Sequence, residues 1–124
     1  MRAQRHGACD AVHAALCAVM AWLALALSAP GGTFDAAPYR MMAALGSEHA
    51  WAMAFCAAAS AGLAGLATPS RPLRLACVVL LATMHGVVAL CFALSDPSAT
   101  GAGTYAVLAG LGYHLAWRHS DEET

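Results

Sequence analysis

Four stretches of the chain, each close to the length of a membrane span, contain no Asp, Glu, Lys or Arg. They run from Ala11 to Ala29, Ala50 to Ala67, Leu75 to Ser95 and Ala99 to Trp117. A helix needs roughly 20 apolar residues to cross about 30 Å of hydrocarbon. A soluble four-helix bundle would need a polar stripe on every helix, and none of the four carries one. The pattern therefore predicts an all-α membrane protein in which spans 11–29, 50–67, 75–95 and 99–117 form one up-down-up-down domain over residues 1–124. Composition agrees: 10% of residues are charged and 60% hydrophobic, whereas a soluble domain carries about a quarter charged. With so little charge, lipid must cover most of the surface.

The punctuation between spans supports the same reading. Pro30-Gly31-Gly32 ends the first helix, Ser47 is placed to cap the second, and Thr68-Pro69 with Pro72 separates the second from the third. Asp96-Pro97-Ser98 makes a tight hairpin before the fourth. The third span is rich in Leu and Val, while about half of the second is Ala. An Ala-rich segment gains little from lipid and leans on its neighbours to stay inserted. Arg2 and Arg5 before an apolar run imitate a secretory signal, but the run is long, Pro30 follows the would-be cleavage site and further spans come after it. An uncleaved first span is expected.

Orientation follows from arginine. Placing both termini in the cytoplasm leaves Arg2, Arg5, Arg71, Arg74 and Arg118 inside and Arg40 alone outside, as the positive-inside rule requires. Within the one long outer loop, Asp35 to Gly46 reads as a short interfacial helix. Asp35 is its cap, Pro38 lies in its first turn, and Met41, Met42 and Leu45 make its apolar side. The tail from Ser120 to Thr124 is acidic and expected to be disordered. The absence of Lys and the abundance of Ala point to a GC-rich bacterial or phage genome, and so to the bacterial inner membrane.

Small residues recur four apart: Ala57, Ala61 and Gly65 on the second span, Ala82 and Gly86 on the third, and Ala102, Ala106 and Gly110 on the fourth. Such spacing lets helix backbones approach closely in lipid, within one chain or between copies. Imidazoles and thiols are the second notable set. His85 lies near the middle of the third span, where an ionisable group faces the bundle interior and needs a partner. A backbone carbonyl, Thr83 or Thr100 would suffice, without any further role. Cys9, His13 and Cys17 share one face of the first helix, with Cys77 and His114 expected at similar depth. His13, Cys17, His85 and His114 are thus the candidates for a metal ion, Cu(I) or Zn²⁺ by ligand type. One ion would use only adjacent members, because residues eight apart on a helix are separated by about 12 Å along its axis. Glu48-His49 opens the second span, where an acidic residue offsets the helix dipole.

The five Cys contain no Cys-x-x-Cys pair and four lie inside spans, so no disulfide framework is expected. A net charge of −1 offers no basic surface for nucleic acid. There is no nucleophile elbow, phosphate loop or pair of intramembrane carboxylates, so neither an enzyme nor a bound cofactor is expected.

Pro30, Thr33-Phe34, Tyr39, Met41-Met42 and Glu48-His49-Ala50-Trp51 resemble small multi-span proteins of bacteriophages and prophages over roughly residues 22–66. Trp51-Ala52 stands where that pattern carries Trp-Gly. The resemblance implies a phage-associated inner-membrane protein, holin-like in its most concrete form, although Ser120-Asp121-Glu122-Glu123-Thr124 is acidic where a holin tail is basic. The expected function is non-enzymatic: association between copies or with other membrane proteins. The alternative is a small transporter or sensor for a metal ion or proton.

Overall fold

The structure, a computed structural model, describes residues 2–121, with side chains from residue 7 onward. Among these residues it is all-helical, and each of the four charge-free stretches is a helix. α1 spans Arg2–Ser28, α2 Arg40–Leu45, α3 Glu48–Ala67, α4 Arg71–Ser95 and α5 Thr100–Asp121. Three helical segments are long and apolar enough to cross a membrane: Gly7–Ser28, Glu48–Ala67 and Arg71–Ser95. α4 is the most apolar of them and α3 the least.

α5 differs from the expectation of a fourth span of the same kind. Its 22 residues would extend about 33 Å at 1.5 Å per residue, so length is sufficient. Its apolarity falls short, because four Gly, together with Thr100, Thr104, Tyr105, Tyr113 and His114, dilute its apolar side chains. Ser120 and Asp121, expected to belong to a disordered tail, instead continue α5. Residues 122–124 lie outside the described residues.

The long helices form a ring in which α1 packs on α3, α3 on α4 and α4 on α5, while α5 meets α1 only lightly. Glycine sets the distances. A Cβ at Gly112 would lie 2.8 Å from the Ala82 Cβ and 3.1 Å from its Cα, and one at Gly101 would lie 2.8 Å from the Phe92 ring. Gly86 faces Ala109 at 3.8 Å. These pairs climb α4 as they descend α5, so the two helices are antiparallel. Gly62 meets Leu81 and Cys17 in the same way, and Gly65 meets Cys77. α3 is thereby wedged between α1 and α4. Buried Leu16, Met20, Phe55, Leu81 and Val88 fill the centre.

The segment between α1 and α3 closes one end. The expected single interfacial helix is divided into 3-10 turns at Thr33–Asp35 and Ala37–Tyr39, followed by α2. Extended Ala36 separates the two turns, and the Asp35 side chain caps neither of them. Of the expected apolar side, Met42 is fully buried and Met41 partly, but Leu45 points outward. The segment is stitched to its neighbours by hydrogen bonds. The Arg40 guanidinium donates to the Ser95 carbonyl and Met41 N–H to Ser95 Oγ, both at 2.8 Å. Trp51 Nε1 donates to the Met42 carbonyl at 2.9 Å, and Phe34 N–H donates to Glu48. Glu48 therefore anchors the loop as well as opening a helix. Ser47 caps α3 as expected, accepting the Ala50 N–H at 3.2 Å.

At the same end, the α4–α5 turn is held by Asp96, which accepts the Ser98 hydroxyl at 2.6 Å and the Ser98 N–H at 3.0 Å. These two bonds favour the ionised carboxylate and hold its pKa below the usual range. Their contribution is complete at neutral pH and is lost only as pH falls through that lowered value.

The α4–α5 contact yields a direct prediction. Gly112→Val forces a branched side chain onto the Ala82 backbone and should lower stability by about 1–3 kcal/mol, the usual cost of overpacking. Gly103→Val, with nothing within 4 Å, should not lower it. Unfolding of both variants in detergent micelles checks this pair.

Candidate functional site: packing faces and buried imidazoles

The small residues divide into two groups once the helices are packed. Gly65, Ala82 and Gly86 are used inside the bundle. Ala57, Ala106 and Gly110 are exposed and Ala61 is only partly covered. Gly103 and Gly110 have nothing within 4 Å of where a Cβ would sit. Gly103, Ala106 and Gly110 are three and four residues apart and so share one outward face of α5. On α3 the outward face carries Cys56, Ala57, Ser60, Ala64 and Ala67. α3 and α5 thus each carry a stripe of small residues on part of their outward surface.

The rest of the outer surface is large and apolar. Trp22 and Leu25 on α1, Leu63 on α3, Leu90 and Leu94 on α4, and Val107 and Trp117 on α5 are all more than half exposed. The exterior is thus as apolar as the interior, where His13, His85 and Ser95 are buried among mostly apolar side chains. A contiguous apolar exterior of this kind is uncommon in soluble monomers and suits contact with lipid.

The four candidate ligands do not converge. His85 is fully buried on α4, with Nδ1 2.7 Å from the Leu81 carbonyl and its ring 6.2 Å from that of Tyr105. Its partner is thus a backbone carbonyl, one of the arrangements expected for a purely structural imidazole. Thr83 instead bonds the Val79 carbonyl and the Tyr113 hydroxyl. His114 faces outward on α5, edge-on to Trp117 at 6.1 Å. His13 and Cys17 lie one turn apart on α1, both buried; Cys17 covers Gly62, and Cys77 covers Gly65 nearby on the same face of α3. Among the described residues, no group of three or more His, Cys, Asp or Glu is arranged to hold a metal ion.

His13 is the unusual member. It is 1% exposed, and neither ring nitrogen makes a well-formed hydrogen bond, although the Gly62 backbone on α3 lies close enough to interact with the ring. His85 Nε2 is also unpartnered. A buried unsatisfied polar group costs about 1–3 kcal/mol.

One feature was not anticipated from the sequence. Arg74 Nη1 meets Asp10 Oδ1 at 3.2 Å, while Arg74 Nη2 donates to the Leu66 carbonyl at 3.0 Å. A single guanidinium ties the start of α1, the end of α3 and the start of α4 together. Both side chains are partly exposed, so the ion pair itself contributes little in water. Only the opposite charges flanking two spans hint at it in the sequence.

Comparison with protein-family models, with curated proteins and with solved structures finds no match.

His13→Leu removes a poorly satisfied polar group at similar volume and should raise the unfolding midpoint in micelles. A lowered midpoint would mean that the imidazole is stabilised where it lies, by the Gly62 backbone or by a ligand.

Proposed function

We propose that this chain is a non-enzymatic, four-span protein of a bacterial inner membrane that works by helix association, with its own copies or with other membrane proteins. The observation that carries this reading is the outward face of Gly103, Ala106 and Gly110 on α5, which no other described residue covers. Glycine in a helix interior costs about 1 kcal/mol relative to Ala, and it gives lipid almost nothing to contact. In a membrane such a surface is best satisfied by another helix at close approach. The small outward face of α3 offers a second contact.

Charge placement supports the orientation with both termini in the cytoplasm. Arg71, Arg74 and Arg118 gather at the end where α1 starts, whereas Asp35, Glu48 and Asp96 share the opposite end with Arg40. In this arrangement α5 is the fourth span, held by its packing on α4. The resemblance of residues 22–66 to phage and prophage membrane proteins makes a holin-like action the most concrete version, in which accumulating copies associate and breach the membrane.

A second reading, a transporter or sensor for a metal ion or proton, draws on the poorly satisfied His13 ring beside Cys17. It would need ligands from outside the chain, or a rearrangement, to complete a site.

Gly110→Leu separates the readings, because position 110 lies in open space and the substitution leaves the bundle intact. Gly65→Leu would not, since it collides with Cys77. We expect cross-linking in membranes to capture oligomers of the native chain and to lose most of them in Gly110→Leu. Expression in a bacterial host, followed by turbidity and membrane potential, should show abrupt depolarisation for the native chain only. A native chain that stays monomeric contradicts the association reading, and steady growth at full potential contradicts its holin-like form.

A further inference from the structure

The weakest seam of the ring is that between α1 and α5. It leaves a cleft of about 190 Å³ at the arginine-rich end, lined by Val12 and Cys9 of α1 and by Leu111, Leu115, His114 and Arg118 of α5. The walls are apolar and one cation stands at the mouth. Arg118 is exposed and makes no hydrogen bond or ion pair with any described residue. Its neighbours on the other helices are already engaged: Arg71 donates to the His119 carbonyl, and Arg74 is held by Asp10 and the Leu66 carbonyl. Asp10, the nearest carboxylate on α1, is itself neutralised by Arg74.

We infer that this cleft seats an anionic phospholipid, with a length of acyl chain between α1 and α5 and the phosphate on Arg118. Three features point to this occupant. Hydrocarbon fits the Val12, Leu111 and Leu115 walls, and the cavity is too small for a whole lipid, so the headgroup lies outside at the guanidinium. Trp117 is 62% exposed beside the cleft, and outward Trp marks the headgroup level of a bilayer. Basic pockets between helices on the cytoplasmic side are suited to acidic headgroups, and this end is the cytoplasmic one in the four-span orientation. The inference rests on that orientation and on α5 spanning beside α1, but not on association between copies. His114 is placed to add an N–H donor to the phosphate.

The lipid fills the seam that the described side chains leave open between α1 and α5, and so closes the ring. Arg118 also opposes the negative end of the α5 dipole. A role confined to that would be indifferent to lipid type.

The test uses the full purified chain in micelles, with phosphatidylglycerol or phosphatidylethanolamine added and retained lipid counted by native mass spectrometry. Retention should favour phosphatidylglycerol several-fold. Arg118→Gln should reduce that preference about fivefold, the effect expected of one interfacial arginine. Ala8→Trp, which places a bulky ring in the exposed mouth, should lower retention of both lipids while the helical signal is unchanged. Equal retention of the two lipids by the native chain would overturn the proposal. So would a phosphatidylglycerol preference that survives Arg118→Gln. Counting lipid per chain keeps the result independent of oligomeric state, so failure here leaves the association reading standing.

Discussion

Close approach of helix backbones at glycine is the contact on which the rest of this structure depends. Gly112 lets α5 lie on Ala82 of α4, and Gly62 and Gly65 let α3 settle between Cys17 of α1 and Leu81 and Cys77 of α4. In lipid, burying an apolar side chain against another gains little over burying it in hydrocarbon, so association relies on dispersion between well-fitted surfaces. That requirement bears hardest on α3 and α5. α3 is the least apolar of the three candidate spans and α5 falls short of them, and both are rich in Gly or Ala. As spans they would depend on their neighbours, whereas α4, dense in Leu and Val, is the most apolar of the three candidate spans.

The same small side chains explain why the bundle has unfinished faces. Residues that fit a helix closely on the inside, such as Gly112, have counterparts outside, such as Gly110 and Gly103, that meet nothing. The polar interior is sparse and local. His85 uses the carbonyl one turn behind it, Ser95 ties the end of α4 to the α2 segment, and Arg74 clasps three helix ends. His13 alone makes no well-formed hydrogen bond among the described residues. Stability thus comes from packing along the helices and from hydrogen bonding at their ends.

Helix positions were legible because charge marks them: each charge-free stretch is a helix, and Ser47, Pro72 and the Asp96–Ser98 turn sit at boundaries. The helix faces were not. In α3 more than half of the positions are Ala, Gly or Ser, so little periodic contrast separates Gly65, which is buried, from Ala57, which is exposed. The Asp10–Arg74 clasp joins residues 64 apart, and no local pattern encodes a pairing at that distance. The loop from Thr33 to Leu45 broke into pieces because Ala36 adopts an extended conformation between two short turns, which propensity alone does not reveal. The imidazole candidates were correctly placed along their helices, but spacing within one helix says nothing about which helices face each other.

Whether α5 crosses the membrane decides the orientation, the exposed association face and the α1–α5 seam together. The most direct measurement is membrane topology. Single cysteines would be introduced in the Asp96–Ser98 turn, in the α3–α4 connection and after α5, in a chain lacking its native cysteines, and labelled in intact cells with an impermeant maleimide. The account predicts labelling at the Asp96–Ser98 turn and protection at the other two positions until the membrane is opened. Labelling after α5 in intact cells would place the C-terminus outside and contradict the four-span arrangement.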